Sequence, residues 1–152
     1  MRMDVRDNII KILDEAGIEY KLMEHGHIHT SRDASAVRGC HLSQCTKSMI
    51  FKTNDEQFIL AICPGDKKVD IKRIGELEGK RNLRLASPEE VEKYAGCLVG
   101  SVGPFGMKTK FKTYMDKDVL KNEHAFFSIG NHNESIEMRS SDLVKIVNPI
   151  LI

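Results

Sequence analysis

Apolar residues recur at Ile9, Ile12, Leu13 and Ala16, the i, i+3, i+4, i+7 spacing of one helix face. Asp4 stands where an N-cap belongs and Gly17 where the chain can turn away, so the pattern predicts a helix over 5–16. IEYKLMEH (18–25) reads as a strand, and Ser31 to Arg38 as a short helix ended by Gly39. KSMIFKT (47–53) and QFILAIC (57–63) form a predicted hairpin through Asn54-Asp55. The second run is apolar on both faces, which marks a central strand. Pro64-Gly65 marks a turn, residues 69–77 read as helical, and NLRLA (82–86) as extended. In SPEEVEKYAG (87–96) Ser87 is an N-cap, Pro88 takes the first helical position, Glu90 completes a capping box and Gly96 ends the helix. CLVGSV (97–102) leads into a glycine-rich loop. FKTYMD (111–116), AFFSIG (125–130) and ESIEMR (134–139) are predicted strands, and Ser140-Ser141 cap a last helix, DLVKIV. About seven strands and five short helices without strict βαβ alternation predict an α+β fold with a mixed, mostly antiparallel sheet.

Length and composition narrow the function classes. A chain of 152 residues is expected to form one domain over 1–152, and 41% hydrophobic with 30% charged residues is ordinary globular composition. No run of 18 apolar residues exists, so no membrane span is expected. MRMDVRDNII lacks the apolar stretch of a signal peptide, which makes cytoplasm the expected compartment. Cys40, Cys45, Cys63 and Cys97 form no CxxC pair and are expected as free thiols. The formal net charge of +1 is too small for a protein that grips a long nucleic acid by its phosphates. An RNA partner would leave a small footprint.

The candidate chemistry centres on GSVGPFG (100–106), whose only reactive side chain is the Ser101 hydroxyl. Such a loop is either a turn between strands or a wall of main-chain groups pressed against a small ligand. Lys47 is a second candidate. Alternation puts it with Met49 and Phe51 on one strand face, at the charged end of an apolar stripe. There it either snorkels to solvent or lines a pocket and meets a carboxylate or phosphate. His132, in the turn SIGNHNES, is either a solvated turn residue or an acid/base at a pocket mouth. His25, His27 and His29 alternate near Cys40, His41 and Cys45, but the spacing fits no established zinc pattern. There is no G-x-S-x-G elbow and no GKS/T phosphate loop.

Taken in order, TKSMIFK, the PGD turn, LxxASPEEVEKYAGCLVGSVGPFG and FSIGNHNESIEM resemble the YbaK / prolyl-tRNA synthetase-associated editing-domain family, the trans-acting aminoacyl-tRNA deacylases, over nearly the whole chain. The resemblance implies a curved mixed sheet of about seven strands with flanking short helices. It implies hydrolysis, with no cofactor and no metal, of the ester of a mischarged amino acid on tRNA, often the tRNA for proline. The family's lysine falls on Lys47, its G-x-x-x-P signature on Gly100 to Pro104, and its late glycine and histidine on Gly130 and His132. Lys47 is then expected at the phosphate or ribose of the terminal adenosine. Gly100, with Ser101, Val102, Gly103 and Pro104, is expected to hold the aminoacyl group, and His132 to shape the pocket or orient water. Met49, Phe51 and Phe105 are candidate walls. Many members read V-P-P-F-G where this chain has Val102-Gly103-Pro104-Phe105-Gly106, and the extra glycine is expected to loosen the loop. Lys108, Lys110 and Lys112, or Lys80, Arg81 and Arg84, are candidate contacts to the tRNA acceptor end. An aminoacyl-tRNA synthetase is a further candidate partner, and a monomer the simpler expectation. Two rival readings stand beside this one: a non-catalytic aminoacyl- or nucleotide-binding module partnering a synthetase, and a metal-dependent hydrolase using the histidine cluster.

Overall fold

The computed structural model describes residues 4–26 and 31–152. Helix α1 (Val5–Glu15) starts where the pattern places it, with the Asp7 amide donating to Asp4 Oδ1 at 2.8 Å, and it buries Val5, Ile9 and Leu13. Strands β1 (Tyr20–Glu24), β6 (His124–Ser128) and β7 (Glu134–Arg139) form a three-stranded antiparallel sheet in the order β1-β7-β6. Strands β2 (Thr46–Lys52), β3 (Phe58–Pro64), β4 (Arg84–Leu85), β5 (Lys112–Met115) and β8 (Ile150–Leu151) form a second sheet in the order β4-β2-β3-β5-β8. The β3–β5 and β5–β8 pairs are parallel and the rest antiparallel. A parallel bridge between Cys45 and Phe126 joins the sheets.

The α+β class and the mostly antiparallel pairing are those read from the sequence. The sheet is divided in two, and β8 is an added strand whose two residues are too few to show alternation. Strand β3 is central and buried on both sides, as its continuous apolar run requires. One side joins the main core, where Leu60 and Ile62 meet Ile9, Leu13, Met115 and Phe127. The other carries Ile59 and Ala61 into a smaller cluster with Phe51, Tyr114 and Ile74, the last from α3 (Ile71–Glu78).

Helix α2 (Ser31–Arg38) and helix α4 (Pro88–Ala95) each contribute residues to the wall of one cavity. In α4 the Glu90 amide donates to Ser87 Oγ at 3.2 Å while the Ser87 amide donates to Glu90 Oε1 at 2.8 Å. The Glu90 carboxylate also takes Arg84 and Lys52, each at 2.9 Å, and these donors hold it far below the usual carboxylate range. Ser87→Ala removes one side of the box and should cost about 1 kcal/mol, read as a fall in Tm of roughly 2–4 °C.

The start of helix α5 (Ser140–Val147) corrects the sequence reading. Its N-cap is Arg139, with no side-chain cap, and Ser140 is the first helical residue. Strand β7 runs straight into this helix, and the Ser140 amide is satisfied by the Glu123 carbonyl at 2.8 Å instead of by a hydroxyl.

Candidate active site

The pairing of β2 decides what it presents. The Ile50 carbonyl accepts from the Ala86 amide at 2.8 Å, so it points away from β3. In an antiparallel strand every second residue points its main chain the same way, so the amide and carbonyl of Ser48 face the same side. Strand β4 pairs with only Phe51 and Lys52, leaving Ser48 beyond its end. A cavity of about 270 Å³ lies against this stretch of β2. That is the small end of the range for ligand pockets, suited to a group the size of an amino acid.

The walls come from both sheets. Lys47, Ser48 and Met49 form one, Leu85, Ala86 and Val91 another, and Val99, Gly100 and Val102 a third. Ala34 and Arg38 of α2, with Cys45 and Ser128, close the inner end. Val99 and Leu85 are exposed, whereas Ala34, Arg38 and Cys45 are buried, so the cavity runs from a wet mouth to a dry end. Lys47 and Arg38 contribute two cations, and no carboxylate is among the residues lining it.

Lys47 is half-buried and lies opposite Cys63 in the β2–β3 register. Burial pushes the Cys63 thiol up to about 11, with the Lys47 charge acting in the opposite direction. Arg38 carried no signal in the sequence beyond being a basic residue in the last turn of a helix. It is 7% exposed. Its Nε donates to Ser135 Oγ at 2.8 Å and its Nη2 to Ser128 Oγ at 3.3 Å. Burial lowers its pKa.

The glycine-rich loop is held by its own main chain. Gly100 has φ +86°, a conformation that favours glycine. The Ser101 amide and hydroxyl both donate to the Leu98 carbonyl, at 3.1 and 2.7 Å, and the Ser101 carbonyl accepts from the Gly130 amide at 2.8 Å. A Cβ on Gly103 would lie 2.8 Å from the Ser128 carbonyl oxygen and 3.1 Å from Ile9 Cδ1. The expected loosening at Gly103 is therefore replaced by its opposite: the residue is buried, and the missing side chain lets the loop press against β6.

Of the residues singled out in the sequence, Lys47, Met49, Gly100 and Val102 share the cavity. The others fall elsewhere. Phe51 shares the strand face of Lys47 and Met49 but is buried in the smaller core cluster, further along the strand where β3 and β4 both pair with it. Ser101 is fully buried, with its hydroxyl turned back on Leu98. Gly103 is the packing contact just described. Pro104 and Phe105 line a separate groove of about 340 Å³ beside α1. Gly130 ties the β6–β7 turn to the loop, and a Cβ there would lie 2.9 Å from Val5 Cγ1. His132 sits half-buried in that turn, outside the cavity wall. Sequence reasoning missed Arg38, Ser48 and Ser128. Ser48 was assigned to the face opposite Lys47, and both faces contribute only because the cavity wraps the strand's edge.

Of the histidine and cysteine cluster, His27 and His29 lie outside the described residues. His25 Nε2 is 2.7 Å from Ser135 Oγ, and the Cys40 and Cys45 sulfurs are 3.1 Å apart. Burial and the contact with Cys45 push the Cys40 thiol up to about 12. Among the described residues no group of three or more His, Cys, Asp or Glu side chains could hold a metal ion. Among the surface bases, Lys80 pairs with Asp55 at 2.7 Å, Arg84 with Glu90 and Lys112 with Glu78 at 2.6 Å. Lys108, Lys110 and Arg81 are exposed and form no ion pair among the described residues. No helix among the described residues is long and apolar enough to cross a membrane.

The family model for the aminoacyl-tRNA editing domain matches residues 25–146. The chain is 26% identical over 148 residues to the multifunctional Ser/Thr-tRNA deacylase ProXp-y of Escherichia coli (strain K12), covering 95% of this chain and 89% of that protein. It is 36% identical over 110 residues to the proline--tRNA ligase of Bacillus cytotoxicus, a match that spans 67% of this chain and 19% of the ligase. The crystal structure of a hypothetical protein superposes with a TM-score of 0.87 at 25% identity, covering 95% of this chain and 96% of that one.

Proposed function

Because the chain belongs to the aminoacyl-tRNA editing domain family, we propose that it is an aminoacyl-tRNA deacylase acting in trans on mischarged tRNA, with the tRNA for proline as the substrate. The observation that carries this reading is the single small cavity shared by Lys47 and Gly100. The substrate's atoms follow the cavity's length: terminal adenosine at the mouth, ester in the middle, amino-acid side chain at the dry end. Lys47 supplies the cation for the phosphate or ribose. The free main chain of Ser48 and the turn at Gly100 offer dipoles to the aminoacyl group at a range that a side chain would block.

In the reaction, water adds to the ester carbonyl, the acyl carbon–oxygen bond breaks, and the ribose oxygen leaves with a proton. The products are free amino acid and intact tRNA. An aminoacyl ester is activated, and the neighbouring ribose hydroxyl can assist, so positioning carries much of the rate. Main-chain donors aimed at the oxyanion add to it; in other enzymes one such donor is worth roughly 10²–10³ in rate. An editing step of this kind answers a limit of synthetase pockets, which discriminate a methylene by only about 1–3 kcal/mol. The relationship to the proline--tRNA ligase supports proline's tRNA as the substrate. Contact with the acceptor end alone suits a net charge of +1, with Lys108, Lys110 and Arg81, which are exposed and form no ion pair among the described residues, available to phosphates.

The test is a deacylation panel over several mischarged tRNAs. At least one ester should be cleaved well above its rate in buffer; if none is, the chain is a binding module and the enzyme reading fails. The same activity should persist in EDTA. Its loss on chelation, with recovery on adding zinc, would restore the metal-dependent alternative.

A further inference from the structure

We propose that Cys40 and Cys45 are an oxidative modification site at the wall of the cavity: hydrogen peroxide joins them in a disulfide, and the bond lowers the activity of the site. The effect on activity rests on the deacylase reading above; the bond itself does not.

The fold prepares the pair. Helix α2 ends at Arg38, and the Gly39 and Cys40 amides donate back to the Ser35 carbonyl at 3.0 and 3.2 Å, which turns the chain out of the helix. A single turn of 3₁₀ helix, Leu42–Gln44, brings it round again. There the Cys45 amide donates to the Leu42 carbonyl at 3.1 Å, and the His41 amide to Gln44 Oε1 at 3.0 Å. Asn122 Nδ2 holds the Ser43 carbonyl from outside at 3.2 Å. The two sulfurs end 3.1 Å apart. Bonding needs about 2.05 Å, so closure asks for a movement of only about 1 Å, shared between two side chains. The remaining thiols are placed otherwise. Cys63 Sγ donates to the Lys67 carbonyl at 3.6 Å, and Cys97 Sγ is turned to Met107 Sδ at 3.8 Å.

The surroundings assign the two roles. Cys45 lines the cavity at its inner end, where the Arg38 guanidinium lies beside its sulfur. No carboxylate lines the cavity to neutralise that cation. A thiol beside an arginine is in the usual setting of a reactive cysteine, and peroxide is small and uncharged enough to enter from the mouth. Cys40 is half-buried and outside the cavity wall. Burial and the contact with Cys45 push its thiol up, so it is the poorer first nucleophile and suits the second step, where proximity replaces acidity. The Cys45 thiolate attacks one peroxide oxygen, the O–O bond breaks, and the departing hydroxide takes the thiol's proton to become water. Cys45 is then a sulfenic acid. The Cys40 sulfur attacks that sulfur, the S–O bond breaks, and the hydroxyl leaves as a second water with the Cys40 proton. Two thiols lose two electrons, and peroxide is reduced to two waters.

The bond reaches the site through Cys45. This residue bridges to Phe126 of β6 and precedes Lys47 by two positions. Drawing its sulfur toward Cys40 shifts the inner wall and pulls on the start of β2. In a site that works by positioning, a misplacement of about 1 Å can cost as much as 10²-fold.

Peptide mapping of the whole chain tests this. The reduced protein, freed of reductant, is treated with excess hydrogen peroxide, unfolded, alkylated and digested with trypsin. No lysine or arginine lies between the two cysteines, so both fall in one peptide, GCHLSQCTK (39–47). That peptide should emerge two hydrogens lighter and unalkylated, while Cys63 and Cys97 still alkylate. Tm should rise by a few degrees, as closing a short loop gives. On the ester cleaved fastest, kcat/KM should fall by on the order of tenfold and recover in dithiothreitol. Cys40→Ser should keep the activity of the reduced wild type and show none of these changes; every other readout is made on the wild type, so the test survives a variant that does not fold. Oxygen added to either cysteine without a cross-link, full alkylation of both after peroxide, or a disulfide that leaves kcat/KM unchanged would overturn the proposal. If the reduced chain cleaves no ester, the deacylase reading fails, and the peptide mass and the melting curve still decide the bond.

Discussion

Lys47→Ala lowers kcat/KM for deacylation by on the order of 10- to 100-fold while Tm stays close to that of the wild type. Lys47 is half-buried, lies outside the core clusters and forms no ion pair among the described residues, so its removal leaves no buried partner behind. Under the proposed function its interaction is with the substrate. A hydrogen bond to a charged group contributes about 1.5–3 kcal/mol, which is the span of the expected loss. Lys47→Arg keeps the charge but places a broad planar group in a cavity of about 270 Å³, so it should recover only part of the activity. Steady-state kinetics with thermal melts on both variants decide the matter. A Lys47→Ala enzyme that matches the wild type on every ester removes Lys47 from the site.

Gly103→Ala lowers Tm by roughly 2–12 °C, the range that follows from an overpacking cost of about 1–3 kcal/mol in a domain of this size. Two effects oppose each other here. Alanine restricts the unfolded chain, which stabilises by about 0.4–1 kcal/mol where the native backbone accepts it. The added Cβ, however, meets the Ser128 carbonyl oxygen at 2.8 Å, and a backbone atom in a paired strand cannot swing aside as a flexible side chain can. The clash wins. It also displaces either the loop that carries Gly100 or the residue that carries the Ser128 hydroxyl, so activity falls with stability. An alanine variant as stable and active as the wild type would show that the loop does not bear on β6 as closely as described.

Much of the site's scaffold was legible in the chain, and the reasons are local. The Ser87–Glu90 capping box, the α1 stripe and the alternating β2 and β3 runs are short-range patterns whose physics is complete within a few residues. The motif order carried the family, and Lys47 and Gly100 line one cavity. The sequence reading went astray where a residue's neighbours are distant in the chain. Phe51 was offered as a wall because it shares a strand face with Lys47, but β4 and β3 cover both its sides. Ser101 seemed the loop's reactive group, yet its hydroxyl folds back on Leu98. Arg38 and Ser128 come together across 90 residues, and no spacing announces such a meeting.

By itself, the amino-acid sequence determined most of the secondary elements, the α+β class and the family. Each depends on periodicity, capping and motif order, which act along the chain. Only the tertiary structure decided which polar groups line the cavity, that Gly103 tightens the loop against β6, and that Arg38 lies in the dry end with hydroxyls for company. Those facts depend on how the edge of β2, the end of β6 and helix α2 converge, and burial is a property of that convergence, not of any residue's place in line.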